Sequence, residues 1–169
     1  MKTFIFVLVA LVFSSLYSIN NAQEFEVPMG YKSDMKDDYK KYEADILKAI
    51  EYLENTPLNE NINKRSEVKS FLMAWTSGSP GITIILNPYV MDFCKVNKEF
   101  LIIFMGGWSK YYLENNYDND ELKGALAGIH SVIKVYKMGK GINEDSEVED
   151  LIEMDDEGKL EEWLQDEID

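Results

Sequence analysis

Residues Phe100 to Met105 read Phe-Leu-Ile-Ile-Phe-Met, and a helical pattern continues from them to Leu113. A helix that is apolar on every side has no face to show to water, so it belongs at the centre of the molecule with other helices around it. The rest of the sequence supplies such neighbours as apolar stripes at spacings of three and four. Met35, Tyr39, Tyr42, Ile46, Ile50 and Leu53 make one, capped by Ser33 or Asp34 and ending at about Glu54, ahead of Asn55-Thr56-Pro57. Val68, Phe71, Leu72 and Trp75 make a second, closed by Gly78 and Pro80. Asn97 is the expected cap of the central helix. Leu122, Leu126, Ile129, Ile133 and Tyr136 make a further stripe, begun by Asp118 or Asn119 and ended near the Gly139-Lys140-Gly141 turn. The β-branched run Ile82 to Leu86, stopped by Pro88, predicts either one short strand or an extended segment, since no second strand of similar quality exists to pair with it.

Charge divides the chain unevenly. Residues 144–169 hold 14 acids and one lysine, whereas residues 23–143 hold 17 acids and 15 bases. Acidic termini are often unstructured. This one carries Val148, Leu151 and Ile152, then Leu160, Trp163, Leu164 and Ile168, again at helical spacing. Two short helices separated by Asp155-Asp156-Glu157-Gly158 are expected to dock on the body and point their acids outward. An EF-hand reading of that turn fails: with Gly158 at the sixth loop position, the twelfth is Leu164 rather than a glutamate. The turn back from Gly141 is expected to bring Glu147 or Asp150 near Lys134 or Lys137.

The first residues read as an export signal. Lys2 precedes ten apolar residues, Phe4 to Phe13, followed by small polar residues up to Ala22. Ten residues at ~1.5 Å each fall short of a hydrocarbon core of ~30 Å, so the run is a signal-peptide core and not an anchor. Cleavage is expected near Ala22-Gln23, which places the mature chain in the periplasm or outside the cell. Residues 23–169 then form a single helical domain, and nothing later is long enough to span a membrane.

Phe71-Leu72-Met73-Ala74-Trp75-Thr76-Ser77-Gly78-Ser79-Pro80, and Ile103-Phe104-Met105-Gly106-Gly107-Trp108-Ser109-Lys110-Tyr111 with Leu113-Glu114, resemble the two signatures of a family of small secreted proteins of Bacteroidota. Ala44-Asp45 with Thr56-Pro57-Leu58-Asn59, and Val132 to Lys137, are similar to weaker blocks of it. The resemblance implies a bacterial exported protein with a mostly helical fold. It assigns no activity, substrate or cofactor to any residue.

Several chemistries lack their parts. With one cysteine, Cys94, there is no disulfide within the chain and no cysteine-based zinc site of usual spacing. A net charge of −14 disfavours nucleic acid, whose phosphates call for an excess of lysine and arginine. His130, the single histidine, falls on the polar stripe of its helix with Lys123, Lys134 and Lys137, where it reads as a solvated side chain or an anion contact. Cys94 lies among apolar residues and reads as a small buried hydrophobe. Gly124 and Gly128, and the Gly106-Gly107 pair, predict close helix contacts, since a helix interior otherwise disfavours glycine by ~0.5–1 kcal/mol relative to alanine. Trp75, Trp108, Tyr111 and Tyr112 are the candidates for an aromatic groove, with His130 and Lys134 as polar contacts.

The sequence thus predicts an all-α fold of four long and two short helices, as an irregular bundle or helix-pair array, with an extended or β segment near 81–87. No motif calls for a metal or cofactor. The expected function is non-catalytic binding of a protein, peptide or glycan. A carboxylate-based hydrolase or lyase is the alternative, with Asp92, Glu99 and Glu114 as the acids nearest aromatic runs.

Overall fold

A computed structural model describes residues 25–31 and 39–169. The export signal, Met35 and the Ser33 or Asp34 cap lie outside the described residues. Within them the fold is all-α. Seven helices follow in order: α1 (Tyr39–Asn55), α2 (Ile62–Gly78), α3 (Pro88–Phe93), α4 (Phe100–Glu114), α5 (Glu121–Lys137), α6 (Ser146–Asp156) and α7 (Leu160–Ile168).

The all-round apolar helix is central. Ile102 through Ser109 are buried, and α4 packs on α1, α2, α3 and α5. Its most extensive contact is with α5. That crossing is close because glycines face each other across it. A Cβ on Gly107 would lie 2.6 Å from the Ala127 carbonyl oxygen and 2.9 Å from Gly128 Cα. One on Gly128 would lie 2.9 Å from the Phe104 carbonyl oxygen. Gly124 is filled by the Trp108 indole. Gly106 differs: its Cβ would make ordinary contacts at 3.4–3.5 Å with Leu72 and Ile50, and α4 runs through both glycines without a break.

Four details narrow or depart from the sequence reading. Residues 82–87 form no strand, which removes the β alternative for that segment. A short strand needs a partner to bond with; here the Thr83 N–H donates to Asn119 Oδ1 at 3.2 Å, and Asn119 Nδ2 donates to the Gly81 carbonyl at 2.9 Å. Pro88 does not end that segment but opens α3, a third short helix, because proline at the first helical position gives up no hydrogen bond and Asn87 stands before it in extended geometry. Asn97 is not the cap of α4, a place taken by Glu99. Its buried amide instead clamps the approach to α6, donating to the Asn143 carbonyl and accepting from the Asn143 N–H, both at 2.9 Å. Finally, α5 is capped by Asp120, whose carboxylate accepts from the Lys123 N–H at 3.0 Å.

The acidic end folds as two helices. Val148, Leu151, Leu160 and Leu164 are buried, and Trp163 is half-buried with its ring edge-on to Tyr89 at 5.6 Å. Gly158 takes φ 70° and closes α6, with the Lys159 N–H donating back to the Met154 carbonyl at 2.8 Å. The charged contacts differ from expectation. Neither Glu147 nor Asp150 meets Lys134 or Lys137; Asp155 pairs with His130 at 3.0 Å, Asp156 with Lys137 at 3.5 Å, and Glu149 accepts from the Tyr136 hydroxyl at 2.9 Å. On α6 the acids that meet α5 are Glu149 in the first turn and Asp155 and Asp156 in the last.

Exposed pairs of this kind contribute ~0–1 kcal/mol each, against ~1.5–3 kcal/mol for a buried aliphatic or aromatic side chain. Apolar docking therefore dominates, and salt also relieves repulsion among the crowded acids. Trp163→Ala is expected to lower hydrogen-exchange protection across residues 146–168. In the parent, protection there should hold or rise between low and moderate salt. Protection lost on adding salt, with Trp163→Ala harmless, would show that the ion pairs hold the segment.

Candidate functional site

The aromatic candidates are mostly core. Trp75 is fully buried and its indole N–H donates to the Tyr39 carbonyl at 3.1 Å. Trp108 is buried between α4 and α5 with its N–H unpartnered against Gly124. Tyr112 is buried, its hydroxyl end filling the space over Gly81. These three are packed in the core, because the same helical spacing that brings aromatics together also turns them toward the neighbouring helices. Tyr111 is partly exposed, and its hydroxyl donates to Asp118 Oδ2 at 2.5 Å. That bond pushes the phenol up to about 12. His130 and Lys134 do stand on the outer face of α5, but each already has an acid: Asp155 for His130, and Glu54 for Lys134 at 2.8 Å.

Cys94 is buried, and its desolvation, followed by the charge of Asp145, pushes the thiol up to about 12. The group keeps its proton at neutral pH, whereas a nucleophilic cysteine needs the thiolate.

Two buried ionic clusters were not legible as sites. Arg65 on α2 is 1% exposed. Its Nε donates to Glu99 Oε1 at 2.8 Å, Nη2 donates to the same oxygen, and Nη1 donates to the carbonyls of Leu53 (3.1 Å) and Thr56 (2.5 Å). Lys69 completes the cluster on Glu99 Oε2 at 2.7 Å. Glu54, at the end of α1, accepts from Ser131 at 2.7 Å and from Lys134 on α5. The sequence carries a signal for both. Arg65 stands three before Val68 and seven before Leu72, and Glu54 stands four after Ile50, so each charge lies on an inward stripe and calls for a buried partner. Of the acids set apart by sequence, Glu99 belongs to the first cluster, Asp92 pairs with Lys95 at 2.6 Å, and Glu114 is exposed at the end of α4.

Two concavities stand out among the described residues. A broad, shallow groove of about 670 Å³ follows the outer side of α2, with Met73, Ala74 and Ile102 as its apolar part and Lys69, Lys98 and Glu99 at one end. A smaller notch of about 270 Å³ opens between α3, α6 and α7. Tyr89, Phe93 and Trp163 give it aromatic walls, Leu151 and Met154 complete them, and Asp92, Glu147, Asp150 and Glu167 supply carboxylates. Sequence reasoning missed this notch because α3 was not foreseen. No helix of the described residues is long and apolar enough to cross a membrane, and no cluster of three or more acids, histidines or cysteines in them is arranged to hold a metal ion. Compared with known proteins, the chain matches no family model, no curated protein and no solved structure.

Proposed function

We propose that this chain is an exported, non-catalytic binding module whose ligand contact is the notch between α3, α6 and α7. The observation that carries the reading is the division of labour among its acids. The carboxylates of Glu54 and Glu99, buried or nearly so, are each held by two donor side chains within the fold. Those of the notch stand at its solvent side beside aromatic walls. Acid catalysis wants a carboxyl kept protonated by apolar surroundings and a second acid across a cavity from it; recognition wants a shaped apolar surface with a few polar groups around it. The notch fits the second description.

Export rests on Lys2, the apolar run Phe4 to Phe13 and the small residues up to Ala22, and agrees with the resemblance to secreted proteins. N-terminal sequencing of protein made in an exporting host should find a start at or near Gln23. A cytoplasmic product beginning at Met1 contradicts it.

Incubating the mature protein with extracellular peptide and polysaccharide mixtures, followed by mass spectrometry, checks the binding reading. A module returns the mixture unchanged while a fraction is retained on the immobilised protein. Cleaved products that vanish in Asp92→Asn or Glu147→Gln would mark the carboxylate-based hydrolase or lyase instead.

A further inference from the structure

We propose that the notch receives the cationic end of an arginine or lysine side chain presented by a basic protein segment. The inference rests on the binding reading above and names its ligand class.

Of the six acids of α6, Glu153 lies within the field of Lys159, and the other five fall into two sets. Glu149, Asp155 and Asp156 are taken up by Tyr136, His130 and Lys137 of α5. Glu147 and Asp150, three residues apart and in line with Leu151 and Met154, line the notch instead and have no hydrogen bond or ion pair among the described residues; Glu167 of α7 stands there with them in the same condition. Asp92, the fourth acid, is shared with exposed Lys95. The notch thus sets four carboxylates against one nearby cation, Lys95, which pairs with Asp92 and whose charge also reaches Glu147.

A second, independent observation points the same way. Tyr89 is 6% exposed and lines the notch, and its buried hydroxyl has no partner of hydrogen-bond geometry, although the Asn87 amide, the Glu121 carboxylate outside the notch and the Glu167 carboxylate within it are near. Buried polar atoms are rarely left unpaired. A hydroxyl can donate or accept, whereas the carboxylates around the notch only accept, so a group rich in N–H donors is the one that can serve both.

Shape narrows the class. The notch, at about 270 Å³, lies just below the ~300–1,000 Å³ of small-molecule sites and suits one long side chain. Trp163 and Tyr89 offer aromatic rings to a cation, and Leu151 and Met154 offer an apolar wall to its methylene stem. The acids are too dispersed to ligate a metal ion, which favours a broad or delocalised cation. The same two helices belong to a segment with 14 acids and one lysine. That field draws a multiply charged basic segment more strongly than a lone amine.

The test is fluorescence polarisation of a fluorescein-labelled peptide of alternating arginine and glycine, at about 0.15 M salt, where distant charges are screened. A citrulline version of the peptide serves as the uncharged control. Glu147→Gln with Glu167→Gln removes two charges at the notch; Glu162→Gln with Asp166→Asn removes two elsewhere on α7. The notch pair is expected to weaken binding about tenfold, as two partly desolvated ion pairs would, and the control pair by less than about twofold. Tyr89→Phe, which keeps the ring, should weaken it several-fold. On adding peptide, the Trp163 indole N–H resonance should move before those of Trp75 and Trp108. Absence of saturable binding, equal losses in the two paired variants, or equal affinity for the citrulline peptide each overturns the proposal. N-acetylarginine amide binding as tightly as the peptide overturns the protein segment as its source. Each of these outcomes leaves the binding reading standing, because that reading fails on product formation in the mass-spectrometric assay.

Discussion

Gly107→Ala is expected to destabilise the protein by about 1–3 kcal/mol, the range of overpacked cores, although alanine is the better helix former by ~0.8–1.0 kcal/mol. The new methyl would sit 2.6 Å from the Ala127 carbonyl oxygen and 2.9 Å from Gly128 Cα. Both are backbone atoms of α5, so relief requires moving one helix against the other. Gly128→Leu should do at least as much harm, since its Cβ already meets the Phe104 ring at 2.5 Å and the Phe104 carbonyl at 2.9 Å. Gly106→Ala provides the internal control one residue away. Its methyl meets only flexible aliphatic ends at 3.4–3.5 Å, so helix propensity decides and stability should hold or rise. Urea unfolding of the three variants measures this. A Gly107→Ala midpoint at or above the parent rejects the close crossing, and equal losses at 106 and 107 reject its direction.

Arg65→Ala is expected to have the largest effect, about 3–5 kcal/mol, because it breaks a buried ion pair from one side. Glu99 would keep only Lys69, and the carbonyls of Leu53 and Thr56 at the end of α1 would lose their shared donor. Arg65→Lys should recover only part of this, since one ammonium cannot serve Glu99 and two carbonyls in the geometry of a guanidinium fork. Arg65→Met combined with Glu99→Gln should cost less than the sum of the two single changes, because neither partner is then left charged and alone. Chemical denaturation of the set decides it. A loss below about 1 kcal/mol for Arg65→Ala, the scale of an exposed pair, would mean that the cluster is not closed to water.

Much of the helix map was legible because its signal is local. The stripes at Ile46, Ile50 and Leu53, at Val68, Leu72 and Trp75, and at Val148 and Leu151 each fix a face without reference to the rest of the chain. The centrality of α4 followed from the lack of any polar side at Phe100 to Met105. The misreadings came from residues with two uses. Pro88 stops one element and starts another, and only the turn of the chain after Asn87 selects between them. Asn97 has the side chain of a cap, yet its amide spans a backbone 46 residues away. The aromatic residues Trp75, Trp108 and Tyr112 were offered to a ligand because composition does not say which side of a helix meets another helix.

What the sequence determines by itself is which segments coil, which faces turn inward, and where charge accumulates, since all three depend on neighbours within one or two helical turns. What only the tertiary structure decides is which polar groups meet. Arg65 and Glu99 are 34 residues apart, and Glu54 and Ser131 are 77 apart. The notch draws on three helices, the first of them more than fifty residues before the others. The reason is geometric: these partners are chosen by how the helices cross, and the α4–α5 crossing at the centre is set by the close approach that Gly107 and Gly128 permit.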